Sequence, residues 1–181
     1  MIGAITAGFL GGAGAAVLGD YESIQTITLA SSQAFIDFTS IPSTYSHLQI
    51  RGISLFTSGG GQTYLQANGI TSGYGYSHYL NGNGTSAVGG NSSSGTSIAI
   101  EAATVGHSTT SPYASVTDIL DYSNTNKYKT VRALGGVDLN GSGEVNLMSG
   151  TITTTAAIST IRLNFGINAA QYSTYALYGV K

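Results

Sequence analysis

From residue 46 to residue 56 the side chains alternate, with Leu48, Ile50 and Gly52 on one face of an extended chain and His47, Gln49 and Arg51 on the other. The same period of two recurs through the sequence, whereas long stretches with a period of 3.6 are hard to find. β-branched and aromatic residues dominate, 12 Tyr among them, and these types suit a pleated, half-buried surface. The pattern predicts strands at 23–30, 34–39, 46–56, 63–68, 75–80, 97–105, 114–122, 127–134, 143–155, 158–165 and 174–180. Asn-Gly pairs at 68–69, 81–82, 83–84 and 140–141 are the strongest short turn signal in the chain. Residues 122–127 read as a polar connection, and residues 82–95, rich in Gly, Ser and Asn, as a long exposed loop. About ten short strands with regular turns specify an all-β antiparallel β-sandwich, jelly-roll-like in form. The length suits a single domain, which we place at residues 20–181 behind an arm at residues 1–19.

Charge narrows the possibilities further. Six Lys and Arg and eight Asp and Glu carry all the formal charge on 181 residues, about a third of the usual fraction. Between Gly52 and Ile100 there is none. Monomers use charge to stay apart and to blunt sheet edges, so a chain without it is expected to be covered by neighbours. A net charge of −2 with no basic patch leaves phosphate-backbone binding little to stand on, and no nucleic acid is expected as a partner. Cysteine is absent, which excludes disulfides and thiolate metal sites.

The first 19 residues, MIGAITAGFLGGAGAAVLG, carry no charged side chain. A secretory signal needs a positive start, and a membrane-spanning helix needs about 20 strongly apolar residues, not a run this rich in Gly and Ala. No membrane is expected as a partner. Ile2, Ile5, Phe9, Leu10, Val17 and Leu18 make the segment a candidate anchoring arm, packed on its own domain or on a neighbouring subunit.

Candidate chemistry is sparse. His47, His78 and His107 have no metal-ligand spacing, and no nucleophile elbow accompanies the many serines. Asp118 and Asp121 fall on opposite faces of a predicted strand, leaving Asp118 with Glu144 or Glu101 as the conceivable paired carboxylates of a glycosidase. Residues 138–143, DLNGSG, begin like a calcium loop, but the twelfth position is Ser149 where a bidentate Glu is needed. A Gly-rich hairpin is the plainer reading. We therefore expect no catalytic residue, no metal and no cofactor. Tyr74, Tyr76 and Tyr79 cluster in the charge-free half and form a candidate glycan platform, although tyrosines equally fill sandwich cores and interfaces with one end wet.

Five stretches taken together, FTSIPSTYSHLQIR (38–51), YSHYL (76–80), ILDYSNTNKYKT (119–130), GEVNLMSGT (143–151) and YALYGV (175–180), resemble a family of virion structural proteins from tailed bacteriophages, especially marine ones. The likeness covers residues 20–181 and leaves the arm outside. It implies a virion location, as a tail-fibre-like or capsid-decoration-like component. It implies no catalytic residues. The expected partners are copies of the same chain, as a homotrimer, and other virion proteins. The alternative is a module at a tail-fibre tip that binds a host-surface glycan, and an enzyme acting on host polysaccharide ranks third.

Overall fold

The computed structural model describes residues 20–75, 77–92, 95–102 and 109–181, and no helix occurs among them. In chain order the strands are β1 (Tyr21–Thr28), β2 (Gln33–Phe38), β3 (His47–Ser54), β4 (Gln62–Ala67), β5 (Ser77–Gly82) and β6 (Ala87–Ser92). They continue with β7 (Ile98–Ala102), β8 (Tyr113–Leu120), β9 (Lys129–Asp138), β10 (Gly143–Ile152), β11 (Ile161–Ala169) and β12 (Thr174–Val180). All pair antiparallel in two sheets, ordered β1-β12-β3-β8-β9-β10-β5-β6 and β2-β11-β4-β7.

The order explains the sandwich. Strands β1-β12-β3-β8 facing β2-β11-β4-β7 are the two four-stranded layers of a jelly roll. Two hairpins inserted into that frame, β5–β6 and β9–β10, join the edge at β8 and extend one layer to eight strands. Alternation decides which side chains enter the core. In β3, Leu48 and Ile50 point inward and Arg51 and Ile53 outward. From the opposite layer Phe38, Leu65, Ile161 and Leu163 meet them, each essentially without exposed surface. Burying each such side chain contributes roughly 1.5–3 kcal/mol.

Two expectations from the sequence are corrected. Residues 82–95 are not simply a long loop, because β6 pairs with β5 in full register from Ser77↔Ser92 to Gly82↔Ala87. Its glycines and polar residues suit an exposed edge strand, which is why no apolar pattern betrays it. Asn81-Gly82 is also not a turn. Both residues lie within β5, and the Asn81 amide reaches inward to the Glu144 carboxylate at 3.1 Å. The other three Asn-Gly pairs do sit at turns. Asn140 and Gly141 both have positive φ and close the β9–β10 hairpin, with Leu139 N–H donating to the Ser142 carbonyl at 2.8 Å.

Strand β9 runs on to Asp138, through a Gly135-Gly136 pair that ends the sequence-predicted strand at residue 134. A glycine inside a strand often marks close approach of another group. Here the Tyr113 ring lies flat where a Gly135 side chain would stand.

Candidate interaction surfaces

The residues singled out in the sequence do not converge. Tyr74 is buried, its hydroxyl accepts from the Ala67 N–H at 2.8 Å and donates to the Ile70 carbonyl at 3.1 Å, and its ring belongs to the core. It offers no face to a sugar, so the three-ring platform is corrected at that position. Tyr79 is half-buried on β5, with its ring across Gly90. Tyr76, His107 and the arm residues Ile2, Ile5, Phe9, Leu10, Val17 and Leu18 lie outside the described residues.

The titratable groups are likewise dispersed. His47 Nδ1 accepts the Asp121 backbone N–H at 3.0 Å, which makes Nδ1 the unprotonated ring nitrogen, so its 3.7 Å approach to the Asp121 carboxylate is not an ion pair. His78 stands on the outer face of the large sheet beside Ser149 and Asn91. Among the described residues no three His, Cys, Asp or Glu gather as a metal would need. Asp138 uses its carboxylate to accept the Asn140 N–H at 2.8 Å, a turn-capping role.

Glu101 and Asp118 belong to different environments and form no acid pair. Asp118 is on the outer face, bonded to Gln49 at 2.9 Å and to Arg132 at 3.4 Å. Glu101 points into the sandwich with 1% of its surface exposed. Its carboxylate accepts hydroxyls from Ser115 at 2.6 Å, Ser54 at 3.2 Å and Thr63. Burial pushes the Glu101 carboxyl above its ordinary range, partly opposed by those hydroxyls. Nearby, the Asn146 amide donates to the Tyr113 hydroxyl at 3.1 Å. The interior is therefore polar in two places, around Glu101 within the jelly-roll frame and around Glu144 and Asn146 under the inserted hairpins, and apolar elsewhere along Val131, Ala133, Met148 and Ile152.

That polar lining inverts the pattern of β10. Glu144, Asn146, Met148, Gly150 and Ile152 point inward, and Val145 and Leu147 point out. Strand register carries the exposed residues into rows. Val116, Leu134, Leu147 and Leu80 stand side by side across β8, β9, β10 and β5. In the adjoining row Ile53, Ala114, Gly136, Val145, Gly82 and Ala87 follow one another from β3 to β6. The six large side chains are 38–60% exposed. Together they leave on the order of 500 Å² of apolar surface in one piece, at the upper end of what monomers keep. Arg51 closes one end of the leucine row, its guanidinium held between the Tyr21 and Tyr178 rings at 5.0 and 4.6 Å.

The two edges of this sheet differ. At β1 the pairing is broken by a bulge between Ser23 and Gln25, and Glu22 is ion-paired with Lys181 at 3.4 Å, both devices that discourage further pairing. At β6 there is no charge and no proline. The charge deficit led us to expect a surface covered by neighbours, but it did not indicate where an exposed apolar patch would lie. The signal that marks it is the conflict within β10, where polar Glu144 and Asn146 share a phase with Met148 and Ile152.

Few surface charges remain free to act at a distance. Glu101, Glu144 and Lys129 are buried. Asp121 with Lys127, Asp118 with Arg132, Asp37 with Arg162 and Glu22 with Lys181 are paired. Compared with known proteins, the chain matches no family model, no curated protein and no solved structure.

Proposed function

We propose that this chain is a non-enzymatic structural subunit of a bacteriophage virion, a tail-fibre or capsid-surface component, that acts by associating with copies of itself and with other virion proteins. The observation that carries the reading is the contiguous apolar patch of Ile53, Leu80, Val116, Leu134, Val145 and Leu147. Placement in a virion rests on the resemblance of the sequence, and a trimer is the state that fibre-like and decoration-like proteins imply. The charge-free β6 edge supports the same reading, since its unpaired backbone groups can accept another strand.

Magnitudes indicate how much the patch must be helped. The patch and an equal area of a neighbouring chain laid over it bury about 1,000 Å² together, just below the roughly 1,200–2,000 Å² of specific interfaces. Pairing along β6, or cover from residues 1–19, supplies the remainder.

Light scattering on the purified protein is expected to give three times 18.4 kDa. The double substitution Leu134→Asp with Leu147→Asp is expected to reduce this to the single-chain mass while circular dichroism stays strand-dominated. A wild-type protein that remains monomeric at high concentration overturns association through this face. Electron microscopy of phage particles labelled with antibody to the chain tests the virion placement separately, and unlabelled particles overturn it.

A further inference from the structure

The outer face of the four-stranded sheet holds a cleft of about 330 Å³. It is lined by Asp37 on β2, Arg162 on β11, Gln66 on β4, Gly69, and the threonines Thr39, Thr71 and Thr160. The volume falls at the lower end of ligand sites, which run to roughly 300–1,000 Å³.

The cleft is rigidly framed. Register sets Asp37, Arg162 and Gln66 side by side on three adjacent strands. Arg162 donates from Nε and Nη2 to the two Asp37 oxygens, each at 2.7 Å, and its guanidinium lies 4.1 Å from the Phe35 ring centre. Such a fork and stack fix both side chains in one geometry. Behind the threonines, Asn68 locks two loops together. Its carbonyl accepts the Ser159 N–H at 2.9 Å and the Thr160 N–H at 3.2 Å, and its amide donates to the Ala157 carbonyl at 2.8 Å.

The chemistry of the lining selects the ligand. The one positive and one negative charge neutralise each other inside the cleft, so an anion is opposed by Asp37 and a cation by Arg162. Among the described residues the hydroxyls of Thr39, Thr71 and Thr160 have no hydrogen-bond partner, and each carries a methyl group beside the hydroxyl. A ligand that fits is uncharged, rich in hydroxyls, small, and apolar along its C–H faces. We propose that this cleft binds a terminal neutral hexopyranose unit of a glycan. The carboxylate accepts sugar hydroxyls through lone pairs that Arg162 leaves unused, the threonines donate and accept, and their methyls meet the ring carbons. This site lies on the opposite layer from the apolar patch and does not rest on the association reading.

The test uses the full-length protein with labelled threonine methyl groups, titrated with methyl glucoside, methyl mannoside and methyl galactoside, and with glucuronate and glucosamine as charged counterparts. At least one neutral glycoside is expected to shift the methyl signals of Thr39, Thr71 and Thr160 with millimolar affinity, and the charged sugars to bind more weakly. Thr71→Val with Thr160→Val keeps the shape and removes two hydroxyls. It is expected to weaken binding about tenfold with an unchanged melting temperature, the effect of two lost hydrogen bonds. Phe35→Ala, at an exposed position, is a second variant that loosens Arg162 and weakens binding without removing a lining group. The proposal is overturned if no neutral glycoside shifts these signals, if a charged sugar binds more tightly, or if the valine variant binds as well as the wild type.

Discussion

On the outer face of the four-stranded sheet, polar side chains hold one another: Arg162 grips Asp37, Asn164 donates to Gln66 at 2.9 Å, and Tyr64 donates to Gln62. On the outer face of the eight-stranded sheet, Val116, Leu134, Leu147 and Leu80 stand in register, each 38–55% exposed among the described residues. Where polar side chains already satisfy one another, burial by another chain gains little, because each new contact replaces one already made, and the cleft still keeps hydroxyls to offer a ligand. An apolar face gains about 25 cal/mol for each Å² withdrawn from water. Two layers of one sandwich thus present one surface suited to selecting a small polar ligand and one suited to burial. The inserted hairpins make the difference, since Leu134, Val145, Leu147 and Leu80 all lie on them.

The sharpest way to break this contrast is to place charge on each face in turn. Leu134→Asp with Leu147→Asp is expected to abolish assembly in light scattering, whereas Asn164→Asp on the small sheet leaves the assembled mass unchanged. Equal behaviour of the two variants sinks the distinction between the faces.

A smaller effect separates surface leucines from core leucines. Leu48 has no exposed surface, and Leu48→Ala is expected to lower the stability of the domain by about 2–5 kcal/mol in chemical denaturation. Leu147→Ala, made in a Leu134→Asp background whose mass in light scattering is that of one chain, is expected to change it by less than about 0.5 kcal/mol. If Leu147→Ala costs as much as Leu48→Ala, then Leu147 is a core residue and the patch is misread.

Inside the sandwich, between the two layers, pH exposes a buried carboxyl. Because burial raises the Glu101 carboxyl above its unfolded value, its favourable contribution is complete below the unfolded pKa of about 4.3 and is lost as pH rises through the folded value. Glu101→Gln removes the titration. Melting curves from acid to neutral pH are expected to show the wild type losing stability relative to the variant as pH increases. Parallel curves disprove a buried, titrating Glu101.

The smallest effect belongs to Asp37. Arg162 holds its carboxyl below the usual range, so the pair stabilises above the unfolded carboxylate pKa and the contribution disappears as pH falls through the folded one. Both side chains are more than a third exposed, which limits Asp37→Asn to less than about 1 kcal/mol at neutral pH. A larger loss makes this pair part of the scaffold and not only of the cleft.

Much of the fold was legible because strand formation follows a local period. Alternation at β3, β8 and β12, and Asn-Gly at 68–69, 83–84 and 140–141, place strands and turns with no knowledge of neighbours. Strand β6 was not legible, since an exposed edge strand needs no apolar side chains. The candidate sites were less legible still. Tyr74, in a charge-free segment, could be read as a platform ring or as a core ring, and the Ala67 and Ile70 backbone groups that meet its hydroxyl explain its burial. Asp37, Gln66 and Arg162 are distant in sequence, and register alone makes them neighbours.

By itself, then, the sequence determined an all-β chain with few charges and an expectation of being covered, because period and composition are properties each residue carries alone. The tertiary structure decided which phase of β10 faces inward. The residues of that strand are apolar in both phases, so the choice was made by Glu144 meeting Asn81 and Asn146 meeting Tyr113. With Glu144 and the Asn146 amide nitrogen bonded inside, Val145 and Leu147 were left on the surface.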